Sequence, residues 1–198
     1  MEEKRILNTI YASKGMISIQ DAGKHSIGRD RLAYLAHKDE LQRIGRGLYA
    51  PQGEIIDEYL KIQNKSERLV FSYHTALYFH DLTDRVPAEI HITVPQGYNA
   101  TRLKKRHERL IVHYVKPELL ELGAETARSP MGNEIILYDA ERTICDLVKD
   151  AGKIDPQIFT DAMKRYFARA DADSGKLIRY ARKCKIEPRM RTYMEVLL

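Results

Sequence analysis

The chain has 198 residues, 43% hydrophobic and 31% charged, with a formal net charge of +5; this composition excludes a disordered chain and fits two small globular domains. Its two cysteines, Cys145 and Cys184, lie outside any CxxC or His/Cys cluster, which argues against a disulfide framework and a structural zinc site and leaves both as small apolar residues. The acidic opening MEEKRILNTIYASKG is no secretory leader and no run approaches the ~20 apolar residues of a membrane span, so a soluble cytoplasmic protein is expected.

From Glu2 to Ser13, Ile6, Leu7, Ile10 and Tyr11 make one apolar helical stripe, and Gly15 marks its end. Ser18 is placed to cap a short helix from Ile19 to Lys24, with Asp21 as the acid of a capping box. A third helix is expected from Ile27 to Lys38, with Ser26 as its N-cap. Ile27, Leu32 and Leu35 then face inward, while Gly28, Arg29, Arg31, Tyr34 and Lys38 face outward. Leu41 to Ile44 and Leu48 to Ala50 read as strands joined by the turn Gly45-Arg46-Gly47, and Pro51 closes the segment. Helix, short helix, turn, helix and hairpin in this order are the plan of a winged helix-turn-helix, predicted for residues 1–52.

The remainder, 53–198, reads as mixed α and β, so the fold class is α+β. Helices are expected at Ile55 to Ile62 and Ser72 to Phe79. Strands are expected at Glu89 to Val94, Leu110 to Val115 and Glu134 to Tyr138. Asp139 caps a helix carrying Ile144, Leu147 and Val148. Further helices run from Pro156 to Phe167 and from Ser174 to Lys183, and a last one from Pro188 to Leu198.

Chemistry concentrates in the first segment. A recognition helix puts its N-terminal residues into the major groove of a duplex. Arg29 and Arg31 sit in the first turns of the third helix and suit two-pronged contact with guanine or phosphate. His25 and Ser26 can reach phosphates at its N-terminus, and Gly28 lets backbone approach DNA closely. Tyr34 and Lys38 extend the same face, and Arg43 and Arg46 supply the hairpin. A second basic run comprises Arg102, Lys104, Lys105, Arg106 and Arg109. A third comprises Lys176, Arg179, Arg182, Lys183, Lys185, Arg189 and Arg191, offset only by Glu187 along the sequence. His74, His80, His91, His107 and His113 are scattered, and His91 reads as a structural residue of a half-buried strand. No HExxH, GxSxG or GxxxxGK[ST] motif occurs, so no catalytic residue, metal site or cofactor is expected.

The wing sequence RIGRGLYAP, the run SYHTALYFHDLTDRVPAEIHITVP and then ILYDAERTICDLV resemble the AbiEi antitoxins of type IV abortive-infection toxin–antitoxin systems. The resemblance implies a non-enzymatic phage-defence component that represses its own promoter by binding inverted repeats in double-stranded DNA. It implies further that the C-terminal domain counteracts a nucleotidyltransferase toxin without a stable complex. It places Arg29, Arg31 and Tyr34 on the recognition helix and Arg43 and Arg46 on the wing, and makes the basic C-terminal helices a second, antitoxic surface. A DNA-targeting nuclease and a ligand-sensing regulator are the alternatives. With no coiled coil or dimer seam in view, a monomer that pairs on DNA is expected.

Overall fold

The computed structural model describes residues 2–13, 15–64, 66 and 68–197. The chain divides into two compact units, Met1–Glu67 with Arg128–Ile135, and Arg68–Ala127 with Ile136–Leu198. Both α-helices and β-sheets are present, and no helix among the described residues is long and apolar enough to cross a membrane.

The first unit runs α1 (Glu2–Ala12), β1 (Ile17–Ser18), α2 (Ile19–Lys24), α3 (Arg29–His37), β2 (Leu41–Gly45), β3 (Leu48–Pro51) and α4 (Glu58–Gln63). The expected capping box forms at α2. Ser18 Oγ accepts the Asp21 N–H at 3.0 Å and donates to the Asp21 carboxylate at 2.7 Å. Ile6, Ile10, Ile17, Ala22, Ile27, Leu32, Leu35, Leu41 and Tyr49 pack as one core. The three strands form an antiparallel sheet in the order β1-β3-β2, with Ile17 and Arg43 flanking Tyr49. At the hairpin turn Gly47 has φ +72°, and a Cβ there would come within 3.2 Å of Ile19 Cδ1, so the turn requires glycine.

Two boundaries differ from the sequence expectation. Helix α3 begins at Arg29, and its N-cap is Gly28, without a side-chain bond. Ser26 does not cap it. Instead Ser26 adopts φ +58° and ends α2 in a Schellman turn, in which the Ile27 N–H reaches the Ala22 carbonyl at 2.9 Å. Burial of Ile27 fixes that turn. Helix α4 starts at Glu58 rather than Ile55, because Asp57 caps it by accepting the Tyr59 and Leu60 N–H groups at 3.0 and 3.2 Å. Asp57 is buried, and its other oxygen accepts from Ser129 Oγ and, at 2.8 Å, from Asn133 Nδ2. This buried carboxylate anchors the 128–135 segment within the first unit.

The second unit contains β4 (Val70–Phe71), α5 (Tyr73–Phe79), β5 (Ile90–Pro95), α6 (Thr101–Arg106), β6 (Leu110–Val115), β7 (Ala124–Arg128), β8 (Glu134–Tyr138), α7 (Ala140–Lys149), α8 (Pro156–Phe167), α9 (Ser174–Lys183) and α10 (Glu187–Leu197). The ends of β7 and β8 run into the 128–135 segment. The sheet order is β6-β5-β4-β8-β7, with β4 antiparallel to β5 and the β5–β6 and β4–β8 pairs parallel. Asp139 caps α7 as expected, accepting the Arg142 N–H at 2.7 Å. Helix α7 is the hub of this core: Ile144, Leu147 and Val148 meet Met163 of α8, Leu177 of α9 and Met190 of α10. The expected end of the last helix at Leu198 lies outside the described residues.

Arg142 is buried too. Its guanidinium donates to the Leu119 and Leu122 carbonyls at 2.8 and 2.9 Å and to Asp146 at 3.1 Å, and lies 4.3 Å over the Tyr138 ring. Every one of these partners compensates the cost of burying the charge. Strands β4 and β7 escape the sequence reading: β4 has two residues, too few for alternation, and AETAR in β7 has no apolar run.

Candidate functional site

In the first unit, α3 and the β2–β3 hairpin carry the cationic residues singled out in the sequence. Arg29 is exposed on the first turn of α3. Arg31 is half-buried and pairs with Glu3 at 3.3 Å. Its guanidinium lies 5.0 Å from the Tyr34 ring, and Lys38 Nζ lies at the same distance from that ring. The Tyr34 side chain holds the Lys38 pKa above its ordinary value. Arg29 thus has no ion pair or side-chain hydrogen bond among the described residues, while Arg31 is tied to α1. At the hairpin, Arg43 is exposed but folds back to the Gly45 carbonyl at 3.3 Å, whereas Arg46 stands exposed on the turn.

His25, Ser26 and Gly28 are exposed in the α2–α3 turn. A Cβ at Gly28 would meet nothing within 4 Å, so the space in front of this backbone is open. The His25 carbonyl accepts from Arg5 at 3.3 Å, which draws α1 to the same edge. There Lys4, Arg5, Asn8 and Thr9 of α1 line a groove with His25. The sequence reading missed these α1 residues. Their polar face, opposite Ile6 and Ile10 at helical spacing, was the available signal.

The third basic run of the sequence is largely neutralised in the second unit. Lys176 Nζ lies 3.0 Å from Asp139 and 2.8 Å from Glu141. Burial disfavours its charge, yet these two carboxylates raise its pKa; burial likewise pushes Glu141 up, but Lys176 brings it below the usual carboxylate value. Arg182 and Arg191 share Glu187 at 2.7 Å each, and Arg179 lies 3.9 Å from Asp173. Lys183, Lys185 and Arg189 stay exposed. The run thus meets, in addition to Glu187, Asp139 and Glu141, which the fold brings against α9 at the start of α7, and Asp173, the N-cap of α9 itself. By contrast, Arg102, Lys104, Lys105 and Arg106 on and beside α6 are exposed, with no carboxylate at ion-pair distance among the described residues.

The carboxylates Asp139 and Glu141 are the nearest thing to an acid cluster. Asp139 accepts from the Arg142 N–H, Lys176 and Tyr180; Glu141 accepts from Lys176 and Tyr166. Each oxygen already has a partner. No three His, Cys, Asp or Glu side chains converge on a point that would hold a metal ion among the described residues.

Three histidines that looked scattered do meet. His91 Nδ1 and His113 Nε2 are 3.0 Å apart, and the His74 and His91 ring centroids are 4.5 Å apart. Tyr73 stacks on His113 at 3.7 Å and donates to Asp150 at 2.6 Å. Burial pushes His91 down to about 3 and His113 to about 4, so both are neutral imidazoles.

Residues 5–52 match the family model described as "Transcriptional regulator, AbiEi antitoxin". The match spans most of α1, then α2, α3 and the β2–β3 hairpin, stops short of α4, and agrees with the resemblance drawn from the sequence. No curated protein matches the chain. Among solved structures, the crystal structure of the RV2827C protein from Mycobacterium tuberculosis is similar, with a TM-score of 0.62 and 14% identity. That similarity covers 97% of this chain and 80% of that one, and it is a likeness of fold.

Proposed function

We propose, with the AbiEi-type regulator segment at residues 5–52 as premise, that this protein is a DNA-binding autorepressor and the antitoxin of a type IV abortive-infection system. Residues 1–52 act as a winged helix-turn-helix: α3 enters the major groove and the β2–β3 hairpin is the wing. The observation that carries this reading is the pairing, on one small unit, of exposed Arg29 at the start of α3 with exposed Arg46 at the hairpin turn. Arg29 reads bases. His25, Ser26, Gly28, Arg31, Tyr34, Lys38, Arg43 and Arg46 position the phosphate backbone, which sets register without reading sequence.

The cytoplasmic chain is a monomer that pairs on inverted repeats of its own promoter. Residues 53–198 counteract a nucleotidyltransferase toxin without a stable complex, as the resemblance implies, and the exposed members of the α9–α10 basic run contribute to that surface. The occupied oxygens of Asp139 and Glu141 favour a non-enzymatic role over a nuclease.

Footprinting on the DNA upstream of the protein's own gene tests the reading. Protection of a repeated sequence, without metal-dependent cutting, is expected. The logarithm of affinity should fall linearly with the logarithm of salt, by about 0.9 for each phosphate neutralised. Arg29→Ala should relax sequence preference. Binding and salt slope left untouched by Arg46→Ala would remove the wing from the interface.

A further inference from the structure

The second unit holds a cavity of about 250 Å³ that the DNA-binding reading does not use. Its inner wall carries His74 of α5 and His91 of β5; Val86, Pro87 and Ile158 form its apolar sides. His91 is only 7% exposed, yet its Nε2 is buried without a hydrogen-bond partner, and so is Nε2 of His74. A buried polar atom left without a partner is costly in a folded protein. Two of them on the wall of one cavity point to a ligand that supplies the missing bonds.

The rings are held from behind. The His91 backbone N–H donates to Thr75 Oγ1 at 2.8 Å, and its Nδ1 shares one proton with His113 Nε2. With that proton on His113, His91 Nδ1 accepts, and its Nε2 carries the N–H that faces the cavity. Tyr73, stacked on His113 and bonded to Asp150, fixes the pair in turn. Such preorganisation lowers the cost of binding.

We propose that this cavity binds a small organic acid, its carboxylate accepting the Nε2–H groups of His74 and His91 and its apolar body lying against Val86, Pro87 and Ile158. An anion is favoured over a neutral group because both unpartnered nitrogens can donate at once. Exposed Arg85 at the rim adds attraction for the acid, opposed by exposed Glu89. Size agrees, since a cavity of roughly 150 Å³ already holds a benzene ring. The proposal is independent of the DNA interface and stands or falls separately from it.

Benzoate is the probe, titrated into the full chain labelled with ¹⁵N-histidine. The expected result is a saturable shift of the His74 and His91 Nε2 resonances, with benzamide, the neutral analogue, binding at least tenfold more weakly. Ile158→Trp, which fills the cavity from α8, and His74→Leu, which removes one donor, should each weaken benzoate binding at least tenfold while circular dichroism stays native. No imidazole shift at tens of millimolar benzoate overturns the proposal. So does equal affinity for benzamide, or undiminished binding in either folded variant.

Discussion

Lys176 shows how the fold can reassign a residue whose sequence context reads as a basic surface. Its ammonium closes a network with Asp139, Glu141, Tyr166 and Tyr180. Lys176→Met should strand two largely buried carboxylates and cost about 1–3 kcal/mol, read as a lower urea midpoint. Arg189→Ala, at an exposed side chain, should change stability by no more than about 0.5 kcal/mol. An unchanged midpoint for Lys176→Met would return that lysine to the free surface. The histidines make a second prediction at this scale. Their ordinary pKa is 6.5, and burial lowers His91 to about 3 and His113 to about 4. The unfolded chain therefore binds more protons below pH 6.5, so stability is full above that pH and declines on acidification. The slope is about 1.4 kcal/mol per pH unit for each histidine kept neutral. Asp150 opposes this shift at His113, whereas Lys149, Lys153 and His74 reinforce it; Glu89 and Asp155 act likewise on His74 as Asp150 does on His113. Urea melts at pH 7 and pH 5 should show the decline, and His113→Gln should make it shallower. Equal midpoints at both pH values for the unmodified chain would mean that the imidazoles are not held neutral.

At the scale of elements, what was legible in the sequence depended on whether the signal was local. Ser18 and Asp139 cap their helices as expected, because a small polar side chain three residues before an N–H it can bond is a local arrangement. Ser26 was misread because a small polar residue between two helices suits both the end of one and the start of the next; burial of Ile27 decides for the first. The α1 edge of the candidate interface was not recognised, since the bond from Arg5 to the His25 carbonyl that joins it to the α2–α3 turn links residues twenty apart in sequence. This edge carries its own prediction. If α1 flanks the duplex, Lys4→Ala should weaken binding to all DNA sequences alike and reduce the salt slope by about 0.9, without altering which base pairs are preferred. A change in base preference would instead place α1 in a groove. The histidine cluster was illegible for a similar reason. His74, His91 and His113 lie on α5, β5 and β6; the pairing of β5 with β6, which sets His91 beside Ile111 and Thr93 beside His113, brings two of them together, and the packing of α5 on β5, where Thr75 accepts the His91 N–H, brings His74 to His91.

At the scale of the whole molecule, the least legible feature is that the first compact unit is discontinuous in sequence. Residues 128–135 rejoin it sixty residues after it otherwise ends, and no periodicity or composition marks them. A single buried carboxylate ties them to it. Asp57 satisfies two N–H groups at the start of α4 and, through its other oxygen, Ser129 and Asn133. Ser129 Oγ also accepts the Asn133 N–H at 3.1 Å, which closes the segment on itself. Four donors meeting one anion explain why a charge can be buried there, since charge-assisted bonds are about twice as strong as neutral ones. Asp57→Ala leaves all four donors without their acceptor and should destabilise the first unit by about 2–4 kcal/mol. Hydrogen exchange should then accelerate both at residues 128–135 and at the N-terminal turn of α4, while the amides of α7 in the second unit keep their protection. Faster exchange at α4 alone would mean that Asp57 serves only as a helix cap and that the 128–135 segment is held by other contacts.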